Sequence, residues 1–468
     1  MSRSFGLKVI LLIMIVSLCV GVPIIMRTRA AALTLGSVFM VGADDGWAVG
    51  EAGTTIHWNG TDWNTWTSST TEYLSSVFMV SSSDGWAVGR SGTIIRWNGT
   101  VWNPVTSPTT SWLRSVFMDG ADDGWAVGED GTTIHWNGSA WNTVPSPTVL
   151  NLWSVFMVKA DDVWAVGEGA WIIRWNGTDW DIWTSPKIAR LHSVFMVGAD
   201  DGWAVGEWTI RWNGSSWSVA SPATSWLWSV FMVGADDGWA VGEDGTILRW
   251  NGTDWSTWTS PTTADIRSVF MVSSSDGWAV GGSGTIIRWN GTGWILARTL
   301  VPVVSVDPPI VSASPGGNFT VDVKITNVKN LYSYQFKLSW DPTVLEVQDV
   351  QEGDFLSQRV YKTQFQEYVY NEAGYLMVVC FLLGEPATAA VSGSGTLATI
   401  EFIAKEEGNT SLHLHDTMLL DPFLEQISHG VEAGYSIVIP EFPSASTLLV
   451  FMATTLPAVM VYRRKHSM

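Results

Sequence analysis

The sequence predicts an all-β chain: a seven-bladed β-propeller and then a β-sandwich, flanked by an N-terminal signal and a C-terminal transmembrane helix. Three observations predict it. The run Ser-Val-Phe-Met recurs at Ser37, Ser76, Ser115, Ser154, Ser193, Ser229 and Ser268, spaced by 39 residues except for one step of 36. Each unit holds four short strand-like segments between glycine turns, with no helical period. After Leu300 the repeats stop, tryptophan nearly vanishes, and eight of the nine tyrosines lie beyond residue 330. Composition narrows the function. The 468 residues are 46% hydrophobic, too apolar for disorder. A formal charge of −19 leaves no general basic footprint for nucleic acid. Two cysteines exclude a disulfide-stapled scaffold and a four-thiolate metal centre.

Residues 1–32 carry Arg3 and Lys8, an apolar run from Val9 to Met26 containing Cys19, and the small residues Ala30, Ala31 and Ala32. That order describes a secretory signal, with an uncleaved signal anchor as the alternative. At the other end, 439–445 form a linker and 446–462 an uncharged apolar segment containing Pro457. The tail 463–468 follows with Arg463, Arg464 and Lys465, which place it on the cytoplasmic side of a membrane. Pro440-Glu441-Phe442-Pro443, an apolar helix and a basic tail resemble the archaeal PEF-CTERM sorting signal. The resemblance implies processing by an archaeosortase and attachment to the cell surface; a plain single-pass anchor is the alternative. Between the tails, 18 basic residues face 44 acidic ones, leaving −26. Such a surface favours solubility and cation association.

Residues 33–300 hold the seven units: SVFMV, an Asp-Gly turn, WAVG, a glycine turn, TIIRW, an Asn-Gly turn and a Trp-bearing segment ending near Ser-Pro. Four strands per unit, seven times, is the arithmetic of a propeller. The pattern "SVFM…DGWAVGE.GTI" resembles the repeats of photosystem II assembly factor-like and Asp-box (BNR-type) propellers. One departure stands out: the Asp-box is replaced by W-N-G-T-D-W, so the resemblance implies the fold and not the family's activities.

The tryptophans sort into columns. Trp47, Trp86, Trp125, Trp164, Trp203, Trp239 and Trp278 follow the first turn. Trp58, Trp97, Trp136, Trp175, Trp212, Trp250 and Trp289 precede the Asn-Gly turn, and Trp63, Trp102, Trp141, Trp180, Trp217, Trp255 and Trp294 follow it. Fixed register predicts packing between blades. Because strands alternate in direction, the Asp-Gly and Asn-Gly turns share one face. The middle turns and the connections between blades share the other, and there the sequence varies. Six further tryptophans, Trp112, Trp153, Trp171, Trp208, Trp226 and Trp228, fall on this variable face. They are candidates for binding a glycan or a partner's loop, against the alternative of unconstrained drift among loops.

The invariant face carries two further motifs. Asn59, Asn98, Asn137, Asn176, Asn213, Asn251 and Asn290 each open an N-G-T or N-G-S sequon, and Asn318 and Asn409 add two more. Turn chemistry accounts for Asn-Gly but leaves the following hydroxyl unexplained, which favours glycosylation at these sites. Asp45, Asp84, Asp123, Asp162, Asp201, Asp237 and Asp276 form a carboxylate ring. A Ca²⁺ site and a set of solvated turns are its two readings; no other cofactor is implied.

Residues 301–438 read as short alternating strands of an antiparallel sandwich. The segments Pro315–Val321, Leu331–Phe336, Trp340–Glu346, Gly353–Leu356 and Gly393–Ile400 resemble cohesin domains, in family order. The resemblance implies a nine-stranded jelly-roll sandwich that grips a dockerin module on another chain, since no dockerin-like loop occurs here.

No enzyme is apparent. The propeller has a single tyrosine, Tyr73, and no arginine trio of the sialidase kind is recognisable. Arg96, Arg174, Arg211, Arg249 and Arg288 share one repeat column with His57 and His135 and so share one structural role. Glu51, Glu129, Glu168, Glu207 and Glu243 are near-copies of one turn residue rather than a catalytic pair. His413 and His415 are a weak metal signal, and no phosphate loop follows the glycine turns. The expectation is a non-enzymatic surface adhesion or scaffold protein that binds carbohydrate or a dockerin-bearing protein. The alternative is an extracellular glycoside hydrolase or lyase using the propeller channel.

Overall fold

The computed structural model describes residues 28–29, 33–169, 171–222, 225–357, 362–383 and 390–438. The signal, linker, membrane-span and basic-tail readings fall outside the described residues, apart from Thr28–Arg29, which pair in parallel with Gln426–Ile427. No helix among the described residues is long and apolar enough to cross a membrane. The chain divides into two compact units, with the division near residue 302.

The first unit is built from seven four-stranded antiparallel sheets, each made of four consecutive strands. Blade one comprises Leu35–Gly42, Asp45–Gly50, Thr55–Trp58 and Trp63–Trp66. Blade seven comprises Ile266–Ser273, Asp276–Gly281, Thr285–Trp289 and Trp294–Thr299. No blade sheet shares a strand with another, so the first and last blades meet without a shared backbone ladder.

Each letter of the Ser-Val-Phe-Met repeat has a separate task. Val38 and Met40 enter the core, at 4% and 3% exposure. Phe39 points to the axis, where it and its six equivalents form a closed collar with ring centroids 4.6–4.9 Å apart, Phe270 meeting Phe39 at 4.7 Å. The Ser37 hydroxyl accepts the backbone N–H of Val77 in the next blade at 3.2 Å, and Ser268 accepts that of Val38, closing the ring. Six blades place glycine before the tryptophan, where a Cβ on Gly46 would lie 2.3 Å from Met40 Sδ, while blade four holds the buried Val163 opposite Met157.

The three tryptophan columns lock neighbouring blades together, as their register predicts. Trp47 packs against Trp97 at 4.7 Å and edge-on against Trp102 at 5.3 Å, both in the following blade. The same triad joins Trp278 of blade seven to Trp58 and Trp63 of blade one, at 4.7 and 5.3 Å. Buried tryptophan supplies large apolar area at fixed geometry, and seven clusters of this kind make the core.

The second unit is a two-sheet sandwich. One sheet contains Leu345–Glu352, Val391–Ala404, Asn318–Leu331, Val303–Asp307 and Gly430–Glu432. The other is centred on Ser333–Ser339, flanked by Gly408–Leu420 and by Tyr375–Leu383, with Lys362–Tyr370 at the edge. The nine strands implied by the resemblance are present, but the first and last are each broken in two. Val303–Asp307 runs parallel to Gly430–Glu432 in one sheet, and Ile310–Ala313 runs parallel to Gly434–Val438 in the other. Pro308 and Pro309 break the first strand between its two halves, since neither can donate to a ladder.

Candidate ligand site at the mouth of the propeller channel

The two faces of the propeller differ in chemistry. On the face of the Asp-Gly and Asn-Gly turns the repeated aspartate and asparagine side chains have local partners. Asp84 takes a two-pronged contact from Arg96 (2.8 and 3.0 Å), as Asp162 does from Arg174 (2.7 and 2.9 Å). Asp201, Asp237 and Asp276 pair with Arg211, Arg249 and Arg288, while Asp45 and Asp123 pair with His57 and His135. Each arginine also lies over the tryptophan beside it, Arg96 at 4.7 Å from the Trp86 ring. Each carboxylate of the ring read as a Ca²⁺ candidate therefore contacts an arginine or a histidine of its own blade. Among the described residues no cluster of three or more His, Cys, Asp or Glu side chains could hold a metal. His413 and His415 are stacked on each other, with His415 Nε2 2.6 Å from Ser339 Oγ.

The hydroxyl residue that follows each Asn-Gly has a structural role in the turn. In all seven Asn-Gly turns the asparagine Oδ1 accepts two backbone N–H groups and also the hydroxyl two residues on, at 2.8 Å from Thr61 to Asn59 and 2.9 Å from Thr100 to Asn98. Asn137, Asn176, Asn213, Asn251 and Asn290 repeat the bond. Turn chemistry thus explains the Thr or Ser as fully as the Asn-Gly, whose glycine has φ +90° at Gly60. All seven asparagines are exposed, as are Asn318 and Asn409 of the sandwich. Asn318 Nδ2 donates to Glu401 at 3.0 Å.

On the opposite face, the innermost strands begin and the channel opens. A cavity of about 340 Å³ lies there, lined by Gly36, Tyr73, Ser75, Arg114, Trp153, Arg190, His192, Trp226, Trp228 and Arg267. The volume is that of a small-ligand pocket. Seven of these residues occupy one repeat position, immediately before the serine of Ser-Val-Phe-Met; the others lie two residues earlier. The innermost strand turns this position to the axis, so the otherwise uniform ring becomes a chemically uneven mouth.

Its aromatic wall is continuous. His192 is stacked flat on Trp153 at 4.2 Å and 3°, and touches Trp228 at 4.3 Å and Trp226 at 5.9 Å. Burial, with Arg190 and Arg267 adding to it, pushes the His192 pKa down to about 3, so the imidazole is neutral near pH 7. Three arginines share the mouth. Arg114 pairs with Glu129 at 2.5 Å and Arg267 with Asp265 at 2.8 Å. Arg190 lies 5.4 Å from the Trp226 ring and has no carboxylate partner among the described residues. Three arginines from three different blades thus share one cavity wall, two of them already paired with carboxylates.

Of the six tryptophans singled out in the sequence, Trp153, Trp226 and Trp228 line this cavity. Trp112 sits beside it, between Arg90 at 4.3 Å and Arg114 at 3.5 Å, and donates to Ser75 Oγ at 2.6 Å. Trp171 and Trp208 do not join it: each begins the third strand of its blade, paired with Thr184 and Pro222. Trp208 instead packs on a blade core under Lys187. All six are half-buried rather than exposed. Sequence reasoning did not single out Arg114, Arg190, His192 or Arg267 as site residues. The available signal was the varying residue before each serine.

Residues 304–429 match the family model for the cohesin domain. No curated protein matches the chain. Among solved structures, YCF48 from Cyanidioschyzon merolae is 16% identical, covering 57% of this chain and 98% of that one, with a TM-score of 0.47. A non-cellulosomal cohesin from the archaeon Archaeoglobus fulgidus is 20% identical, covering 30% and 92%, with a TM-score of 0.26. A cohesin–dockerin complex from Clostridium thermocellum is 15% identical, covering 31% and 99%, with a TM-score of 0.27. The chain is an all-β protein of seven four-stranded blades and a cohesin β-sandwich.

Proposed function

We propose that this protein is a non-enzymatic scaffold of the cell surface, held by its C-terminal segment. In this reading the cohesin domain grips a dockerin-bearing protein and the propeller recognises carbohydrate at its channel mouth. One observation carries the carbohydrate part: Trp153, Trp226 and Trp228 converge with His192 on a single cavity. Sugar CH faces stack on such rings, and a hollow walled by several of them holds a pyranose while its hydroxyls stay wet. The hydrolase alternative has less support. The carboxylates that pair with mouth arginines, Glu129 and Asp265, each face an arginine rather than one another, which does not suit a catalytic carboxyl pair.

A glycan array probed with the full chain, alongside a hydrolysis assay on every glycan bound, tests this reading. Binding without turnover is expected, and Trp153→Ala should weaken it about tenfold. Turnover of any bound glycan defeats the binding-only reading, and retained binding in Trp153→Ala moves the site elsewhere. A pull-down on the full chain with a dockerin module tests the cohesin part independently. Glycosylation of the nine sequons now rests on their exposure alone. Mass spectrometry of protein from its own cells decides it, and unmodified asparagine at all nine removes it.

A further inference from the structure

Buried polar atoms without a hydrogen-bond partner are rare in folded proteins, and where they gather is informative. Between residues 33 and 300 the described side chains contain eighteen. Fourteen are the indole nitrogens of the first and third tryptophan columns. These rings meet the neighbouring blade edge-on, as Trp102 meets Trp47 at 88°, an arrangement in which an indole N–H can face a π cloud. The remaining four are Arg114 Nε, His192 Nε2, Trp228 Nε1 and Arg267 Nε. Every one belongs to the wall of the channel-mouth cavity.

The charge of the mouth runs against that of the chain. Three arginines are there against the two carboxylates that pair with Arg114 and Arg267, leaving Arg190 in excess. The region between the tails carries −26, so a local cationic surplus is not a by-product of composition. Guanidinium groups suit planar carboxylates, with which they form parallel two-pronged bonds. A low-dielectric aromatic wall strengthens that pairing and supplies a stacking surface.

We infer that the channel mouth binds an acidic saccharide, a uronate residue whose carboxylate pairs with Arg190 while its ring stacks on the Trp153–His192–Trp228 wall. The inference rests on the carbohydrate reading above and adds a charge to its ligand. Neutral His192 lets the sugar face approach without adding a fourth cation that the aromatic wall would have to desolvate.

Calorimetric titration of the full chain with a panel of uronate oligomers, each beside its methyl ester, isolates the carboxylate, because esterification removes the charge and little else. The acid form is expected to bind about tenfold or more tighter than its ester. The gap should narrow as salt rises from about 50 to about 500 mM. Arg190→Ala should abolish the gap, and Arg190→Lys should keep part of it. Circular dichroism of each variant checks that the fold is intact. Equal binding of acid and ester, or an unchanged gap in a folded Arg190→Ala, overturns the inference while leaving carbohydrate recognition standing. Absence of any saccharide binding brings down both. Binding of a peptide with a free carboxyl terminus, with no saccharide bound, assigns the arginines to a protein ligand and also overturns it.

Discussion

Two residues show how one position in a repeat acquires a role. Ser76 occupies the invariant position and accepts the N–H of Val116 at 3.3 Å. His192 occupies the position before that serine in blade five and faces the cavity. Replacing Ser76 by Ala leaves one strand N–H without its partner, and urea unfolding should show a loss of about 1–3 kcal/mol. His192 makes a pH prediction. Its folded pKa, about 3, lies below the ordinary histidine value of 6.5, so between these values the unfolded chain binds the proton and the folded one does not. Stability therefore falls as pH drops through that window, by about 1.4 kcal/mol per unit at most. The full benefit of the neutral ring is present above about pH 6.5. Taking the protein from pH 7 to pH 4.5 should cost it roughly 2 kcal/mol more than it costs His192→Gln. Equal losses in the two proteins would contradict the burial of this imidazole. The residue scale is also where the sequence was least legible. The sequon hydroxyl looked like a modification signal, yet its bond to the asparagine is local turn chemistry that spacing alone does not reveal.

At the scale of elements, the blade interface is the repeating unit of stability. Its tryptophan triad was legible because a residue recurring in register must meet the same surroundings each time. Which neighbours it meets was not, since spacing within a blade says nothing about contacts between blades. Trp164 is fully buried between blades four and five, against Trp212 at 5.0 Å and Trp217 at 5.6 Å. Trp164→Ala should cost about 3–5 kcal/mol, read from denaturant unfolding of the full chain. The closing interface uses the same parts, Trp278 with Trp58 and Trp63 and Ser268 with Val38. Trp278→Ala should therefore cost about the same as Trp164→Ala. A much smaller loss would mean that the ring is not closed by this interface in solution. The sandwich teaches a related lesson: alternation located its strands, but not the exchange of the first and last strands between sheets at Pro308-Pro309 and Ala433.

On the scale of the molecule, period, turn chemistry and the change at residue 300 were enough to predict seven blades and a sandwich. The candidate site was half legible. Varied loops and extra tryptophans pointed to the face that carries the cavity, which Trp153, Trp226 and Trp228 line. Trp171 and Trp208 were grouped with them because they vary from blade to blade, but they lie on third strands, away from the axis. The arginines escaped notice because Arg114, Arg190 and Arg267 are 76 and 77 residues apart in sequence and meet only when the ring closes. The proposed recognition thus belongs to the mouth of the channel and not to the variable face as a whole. The direct test compares two double variants of the full chain, Trp153→Ala/Trp228→Ala and Trp171→Ala/Trp208→Ala, by titration with the tightest-binding oligosaccharide. The first pair should lose binding by about a hundredfold and the second should bind like the unaltered protein. Equal losses in both pairs, or a loss confined to the second, would contradict a ligand site at the channel mouth.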